Sequence, residues 1–293
     1  MEVNKCVSDL LNLEATKVTN ISRFHIKNEV FKIDTNKKTV IMKVYLDENK
    51  YEKSENEWNV LNKYGGKVNI IPTPILIDRS ERYFGGPVIF RDYVEGTELK
   101  SEIRKRVAEN RDYKSILQQS LAVIKTIHEM NGKASIDDFD LTSQRKFEKL
   151  FKTNADSLKN DLRKHVKVID DYIRKRQQLN PNNFSFCHGD LGGHEIILRK
   201  NNIPSVIDWE NACYFDPACD YGYFTFSVVN SHYKTPDKVE EIYSFFKRNA
   251  NLENLDFFIA ERAIGTSSIY YAKERPDKCE WAMNFAEKLL DNL

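Results

Sequence analysis

Apolar and polar positions repeat along this chain with two different periods, and the period changes near residue 97. Upstream, short β-rich runs prevail. Residues 29–34 and 39–46 flank the polar Thr35-Asn36-Lys37-Lys38 and predict a hairpin. Residues 51–64 follow a helical period, with Trp58 and Leu61 on one side and Glu52, Glu55 and Glu57 elsewhere. Pro72-Thr73-Pro74 interrupts the chain, and residues 74–78 and 86–91 predict two more strands. Past Val94-Glu95-Gly96-Thr97 the pattern turns helical: over 115–130, Ile116, Leu117, Leu121, Ile124 and Ile127 fall on a helix face. Strand signals return at 196–198 and 205–208, around a Lys200-Asn201-Asn202 turn, and the chain from about Asp220 is mainly helical. These patterns predict an α+β protein with a β-rich part over residues 1–97 and a mainly helical part over 98–293.

Composition narrows the function class. The 293 residues are 41% hydrophobic and 30% charged, ordinary for a globular protein. Lys+Arg number 45 and Asp+Glu 44, so a formal net charge of +1 gives no bulk attraction to nucleic acid or to an anionic membrane. No run approaches the roughly 20 apolar residues needed to cross a bilayer. The mixed, charged start MEVNKCVSDLLNLEATK does not read as a signal peptide, so a cytoplasmic location is expected. Cys6, Cys187, Cys213, Cys219 and Cys279 are scattered without zinc-ligand spacing and are expected as reduced, buried thiols.

The chemistry concentrates downstream. Cys187-His188-Gly189-Asp190-Leu191-Gly192-Gly193-His194-Glu195 is followed by Val206-Ile207-Asp208-Trp209-Glu210 and then Asp216-Pro217-Ala218-Cys219-Asp220. Phosphoryl transfer needs a carboxylate to orient the attacking hydroxyl and oxygen ligands to hold Mg²⁺ against the phosphates. Asp190 lies in a Gly-containing loop after an apolar stretch. Asp208 ends a short apolar run, where its carboxylate is expected at a strand tip. Pattern alone leaves other carboxylate-based chemistry open.

The three segments resemble the aminoglycoside phosphotransferase and choline kinase-like family, whose signature reads roughly HGDxxxxN, then IDWE or IDFE, then DPxxD. The resemblance implies a protein-kinase-like two-lobed fold and a kinase of small hydroxylated molecules, such as an aminoglycoside, a related antibiotic or an amino alcohol, with ATP or GTP as donor and Mg²⁺ as cofactor. It implies Asp190 as the catalytic base or hydroxyl-orienting group and Asp208 as a metal ligand. His188 would shape the loop, supported by Asp216 and Asp220. It also implies Lys43, in the middle of its strand, as the phosphate-facing lysine, with Glu57 of the next helix as its partner and Glu52 and Glu55 as rivals. Arg91 to Gly96 resembles the segment joining the lobes, whose Asp92, Tyr93 and Val94 would hold the base. Two places depart from the pattern. Glu195 stands where the family carries Asn as a second metal ligand, and residues 20–29 contain no glycine where a phosphate loop is expected, leaving Ser22 and Asn28 for its contacts. The alternative they raise is a non-catalytic, kinase-fold nucleotide-binding protein. The Asp137-Asp138-Phe139-Asp140 cluster reads as a solvated loop.

Overall fold

Strand β3 (Thr39–Tyr45) is buried along nearly its whole length, as its β-branched and apolar run dictates. A computed structural model describes residues 2–22, 28–130, 162–179, 184–200 and 202–293. The acidic cluster at 137–140 and the middle of the 20–29 loop lie outside them. The chain folds as two units, Met1–Thr97 with Ile196–Ala212, and Glu98–Glu195 with Cys213–Leu293. The segment bearing Asp208 therefore belongs with the N-terminal strands.

The first unit holds a five-stranded antiparallel sheet, made of β1 (Ala15–Asn20), β2 (Asn28–Thr35), β3, β4 (Pro74–Asp78) and β5 (Val88–Asp92), in the order β1-β2-β3-β5-β4. The predicted hairpin is β2–β3, with Lys43 between Val30 and Ile89. Side chains alternate across a strand. Val40, Met42 and Val44 therefore join Phe31, Ile33, Phe90 and Cys6 and Val7 of α1 (Glu2–Leu11) in a core on one face. Lys43 shares the other face with Ile41 and Tyr45. Helix α2 (Lys50–Tyr64) buries Ser54, Glu57, Leu61 and Tyr64, a stripe at helical spacing, and packs on β3, β4 and β5. Strands β8 (Ile196–Leu198) and β9 (Pro204–Val206) form the later hairpin, Ile196 opposite Val206. β9 stops at Val206, short of Asp208, because Asp208 adopts a left-handed backbone, φ 71°, and opens a 3-10 turn over Trp209–Asn211.

After the two-residue strand β6 (Thr97–Glu98), the second unit is mainly helical: α3 (Leu99–Ala108), α4 (Lys114–Glu129), α5 (Val166–Gln178), α6 (Ala218–Val229), α7 (Pro236–Ala250), α8 (Leu255–Ala272) and α9 (Pro276–Asp291). Strands β7 (Ser185–Cys187) and β10 (Cys213–Phe215) pair antiparallel, Cys187 opposite Cys213. Helix α6 is apolar on nearly every side and buried accordingly, so its aromatic run is core packing. Helix α8 packs against α6 and α9. It also carries the buried Glu261, which accepts hydrogen bonds from Tyr172 (2.5 Å) and Tyr223 (2.6 Å) and pairs with Arg176, fastening α5 and α6 to α8. All five cysteines are free, and no helix among the described residues is long and apolar enough to cross a membrane.

Gly222 sets how closely α6 meets α8. A Cβ there would lie 2.6 Å from Phe258 Cβ and 2.9 Å from the Ile259 nitrogen, both attached to a packed helix that cannot yield cheaply. Gly222→Ala is expected to lower stability by about 1–3 kcal/mol through overpacking, read as a lower denaturant midpoint at unchanged m-value.

Candidate active site

The first unit brings Lys43, Glu57 and Asp208 together. Lys43 Nζ donates to Glu57 Oε2 at 2.7 Å, pairs with Asp208, and lies 2.7 Å from Glu210 Oε2. Lys43 comes from the middle of β3, Glu57 from the inner stripe of α2, and Asp208 and Glu210 from the turn after β9. Burial alone would pull the Lys43 ammonium below its ordinary value, but Asp208, Glu57 and Glu210 outweigh it and hold the group well above, so it is charged. Tyr45 donates to Glu57 at 2.6 Å, and burial with the Glu57 charge keeps the phenol neutral. The rival Glu55 is engaged elsewhere, with Arg79. Glu57 is 1% exposed whereas the Asp208 side chain is 48% exposed, so Asp208 presents the accessible carboxylate of the set.

Glu210 was given no role by sequence reasoning, though it stands in the Ile207-Asp208-Trp209-Glu210 motif. Besides Lys43 it receives Asn28 Nδ2 at 2.7 Å and Lys53 at 3.2 Å, while Asn56 holds the turn through the carbonyls of Glu210 (3.0 Å) and Ala212 (2.8 Å). Asn28 thus ties β2 to this turn. Ser22, the other residue considered for the phosphate loop, accepts the Val30 amide at 2.8 Å. Glu57, Asp208 and Glu210 offer carboxylate oxygens within 4.8 Å of one another. Hard oxygen donors of this kind fit a divalent cation such as Mg²⁺.

Asp92, the last residue of β5, and Tyr93 and Val94 after it line a cavity of about 590 Å³, along with Ile71, Thr73, Arg199 and Lys200. The Asp92 amide donates to the Thr73 carbonyl at 3.0 Å, and its carboxylate pairs with Lys38 at 2.7 Å. The Asp92 side chain is therefore occupied, and the backbone of this segment carries its binding potential.

Asp190 and Glu195 belong to the second unit. Their loop leaves β7 and is anchored by the buried Asp220 of α6, which accepts the His188 amide at 2.8 Å and the Gly189 amide at 3.0 Å and lies 3.2 Å from His128 Nε2. Burial would push the Asp220 carboxyl up, but His128 and the His188 amide bring it below its ordinary value. Asp216 caps the start of α6 at the Ala218 amide (2.8 Å) and receives Asn254 at 2.7 Å. Asp190 Oδ1 pairs with Arg262 Nη1 of α8 at 2.6 Å, and the Arg262 guanidinium lies over the Tyr223 ring, 4.9 Å from its centroid. Nothing in the local sequence marks Arg262, because the pairing arises from helix packing. Glu195 turns back on its own loop: Oε2 accepts the Gly192 amide at 2.7 Å, and Oε1 lies 2.6 Å from His194 Nε2.

A model of the phosphotransferase enzyme family matches residues 23–257. No curated protein matches the chain in sequence. Among solved structures, a thermostable mutant of aminoglycoside phosphotransferase APH(4)-Ia, in ternary complex with ADP and hygromycin B, superposes with a TM-score of 0.67 at 13% identity, covering 99% of this chain and 98% of that one. The choline kinase LicA from Streptococcus pneumoniae gives 0.62 at 16% identity, with 99% and 98% coverage. A spectinomycin phosphotransferase, APH(9)-Ia, with ADP and spectinomycin gives 0.53 at 12% identity, with 97% and 96% coverage. The fold is the kinase-like one that the motifs led us to expect.

Two stability effects follow. Lys43→Met leaves Glu57 and Glu210 buried without their ammonium and is expected to cost about 3–5 kcal/mol in urea unfolding. Asp220→Asn removes a charged acceptor from two buried amides and is expected to cost about 2 kcal/mol at neutral pH. Because the folded Asp220 value lies below its ordinary 3.8, its contribution is full above that value and lost as pH falls through the folded one. The gap between the native protein and Asp220→Asn should therefore close in acid unfolding below about pH 4.

Proposed function

The chain belongs to the phosphotransferase enzyme family, and on that premise we propose that it transfers the γ-phosphoryl group of ATP or GTP to a hydroxyl of a small acceptor, the class that includes aminoglycosides, related antibiotics and amino alcohols. The observation that carries this reading is the buried Lys43–Glu57 pair closed by Asp208. A merely structural ion pair has no need of three carboxylates around one lysine, one of them open to solvent. Fold relatives solved with ADP and an aminoglycoside or spectinomycin support a nucleotide donor and a small acceptor. We assign the reaction to the cytoplasm, in keeping with the free thiols.

In this mechanism Lys43 is held charged and aimed by Glu57, and donates to the nucleotide phosphates. The backbone of Asp92, Tyr93 and Val94 holds the base. Asp208 would hold Mg²⁺. The bound ion supplies charge neutralisation on the phosphates. Asp190 accepts a hydrogen bond from the acceptor hydroxyl, orients its oxygen lone pair for in-line attack and takes up its proton, while Arg262 fixes the carboxylate. Positioning and electrostatics supply most of the acceleration, and no covalent enzyme intermediate is required.

The test is Mg²⁺-dependent nucleotide turnover by the purified protein, with ATP and GTP, with and without acceptors. Asp190→Ala is expected to lower acceptor-stimulated turnover by about 10²–10⁴-fold while leaving nucleotide affinity within a few-fold. A folded protein that binds nucleotide but turns over none with any acceptor would favour the non-catalytic alternative.

A further inference from the structure

The surroundings of Asp190 within the second unit are basic. Arg262 pairs with Asp190 at 2.6 Å. Three residues past Asp190, Gly193 meets the first turn of α3: its carbonyl accepts the Lys100 amide at 2.8 Å, and a Cβ on Gly193 would lie 2.8 Å from Lys100 Cβ. Lys100 and Arg104 are one helical turn apart and share a face of α3. Lys278, at the start of α9, lies over the rings of Tyr233 (5.0 Å) and Tyr270 (5.3 Å). The charges of Lys278, Arg104 and Arg262 all act on Lys100. Burial is the main cause that brings its ammonium down to about 8; Glu195 opposes it, and Lys278, Arg104 and Arg262 add smaller pushes downward. The neighbouring carboxylates are engaged, Glu195 by its own turn and Asp277 by Tyr233 at 2.7 Å.

A cavity of about 510 Å³ shares Arg104 with this set and is lined also by Ser101, Lys105, Ser231, His232 and Thr235. His232 is 8% exposed, and its Nε2 has no hydrogen-bond partner. A buried polar nitrogen without a partner is costly, and this one lies at a cavity whose charged lining is cationic. Hydroxyls, two cationic side chains and an imidazole make a donor-rich wall suited to oxygen anions.

Resting on the phosphotransferase reading, we propose that this wall is the acceptor subsite and that the acceptor is an anionic alcohol, bearing a carboxylate or phosphate that Lys100, Arg104 and His232 hold while its hydroxyl reaches Asp190. A polycationic acceptor would meet like charge at Lys100 and Arg104. A carboxylate or phosphate instead relieves the mutual repulsion of Lys100, Arg104, Arg262 and Lys278.

The experiment measures binding and turnover with glycerate and glycerol 3-phosphate as anionic alcohols, and with ethanolamine, glycerol and an aminoglycoside as cationic and neutral counterparts. Anionic probes are expected to bind by calorimetry and to stimulate Mg²⁺-dependent turnover, and the tighter of the two names the anion. Arg104→Gln is expected to weaken their binding by about tenfold or more, with Arg104→Lys recovering part of it. Preference for ethanolamine or the aminoglycoside overturns the proposal, as does anion affinity unchanged in a folded Arg104→Gln. Calorimetric anion binding that depends on Arg104, in a protein without nucleotide turnover, keeps the anion site and removes the phosphotransfer reading, so the two fail separately.

Discussion

A buried ammonium is tolerated only where opposite charge surrounds it, and the first unit is organised around that requirement at Lys43. An isolated charge in a protein interior costs several kcal/mol. Lys43 has three N–H donors, and three carboxylates, from α2 and from the turn after β9, receive it. The arrangement ties elements distant in sequence: β3 to α2, and both to a segment arriving a hundred and more residues later. It also ranks the partners. Glu57 and Glu210 are enclosed and have other bonds, from Tyr45 to one and from Asn28 and Lys53 to the other. Asp208 is half exposed. In the proposed mechanism a phosphate would take over one of the three donors, and the Asp208 contact is the one that solvent already reaches.

The second unit uses buried carboxylates in the same way, as anchors for backbone and helices. Asp220 holds the amides that follow β7, and Asp216 starts α6 and receives Asn254. Glu261 gathers two tyrosines and an arginine at the centre of the helices. Its chain neighbour Arg262 faces Asp190 instead. Adjacent residues on a helix point about 100° apart, so fixing Glu261 inward also fixes the direction in which Arg262 leaves α8. The candidate catalytic carboxylate is thereby referenced to the packed core through one helix.

Much of this was legible in the chain because short-range pattern and motif agreed. The β2–β3 hairpin, α2, α4 and the β8–β9 hairpin follow from local periodicity, and the family resemblance singled out Lys43 and Glu57 within them. Strand β1 was not legible: it is an edge strand, exposed along most of its length, so no alternation records it. The extent of β9 was overstated because apolar character continues through Ile207 while the backbone has already left the strand. Glu210 stood inside a recognised motif but acquired a role only when folding brought it to Lys43. Arg262 gave no signal, since an arginine on a helix reads as solvated until its partner is known. Glu195 is named only by the family resemblance, as a metal ligand, and its oxygens contact the Gly192 amide and His194 of its own loop.

The left-handed backbone at Asp208, φ 71°, restricts what can stand there. Asp, Asn and Gly adopt this conformation at little cost, while a β-branched or bulky residue is strained. Sequence drift at this position is therefore channelled. A descendant that abandoned the charge could do so cheaply by a change to Asn or Gly, and a Val or Ile would disturb the turn that carries Trp209 and Glu210 as well. The fold thus leaves a narrow route by which the proposed metal-facing carboxylate can be lost while the scaffold survives, and chains that have taken that route would be recognisable by the residue they carry there.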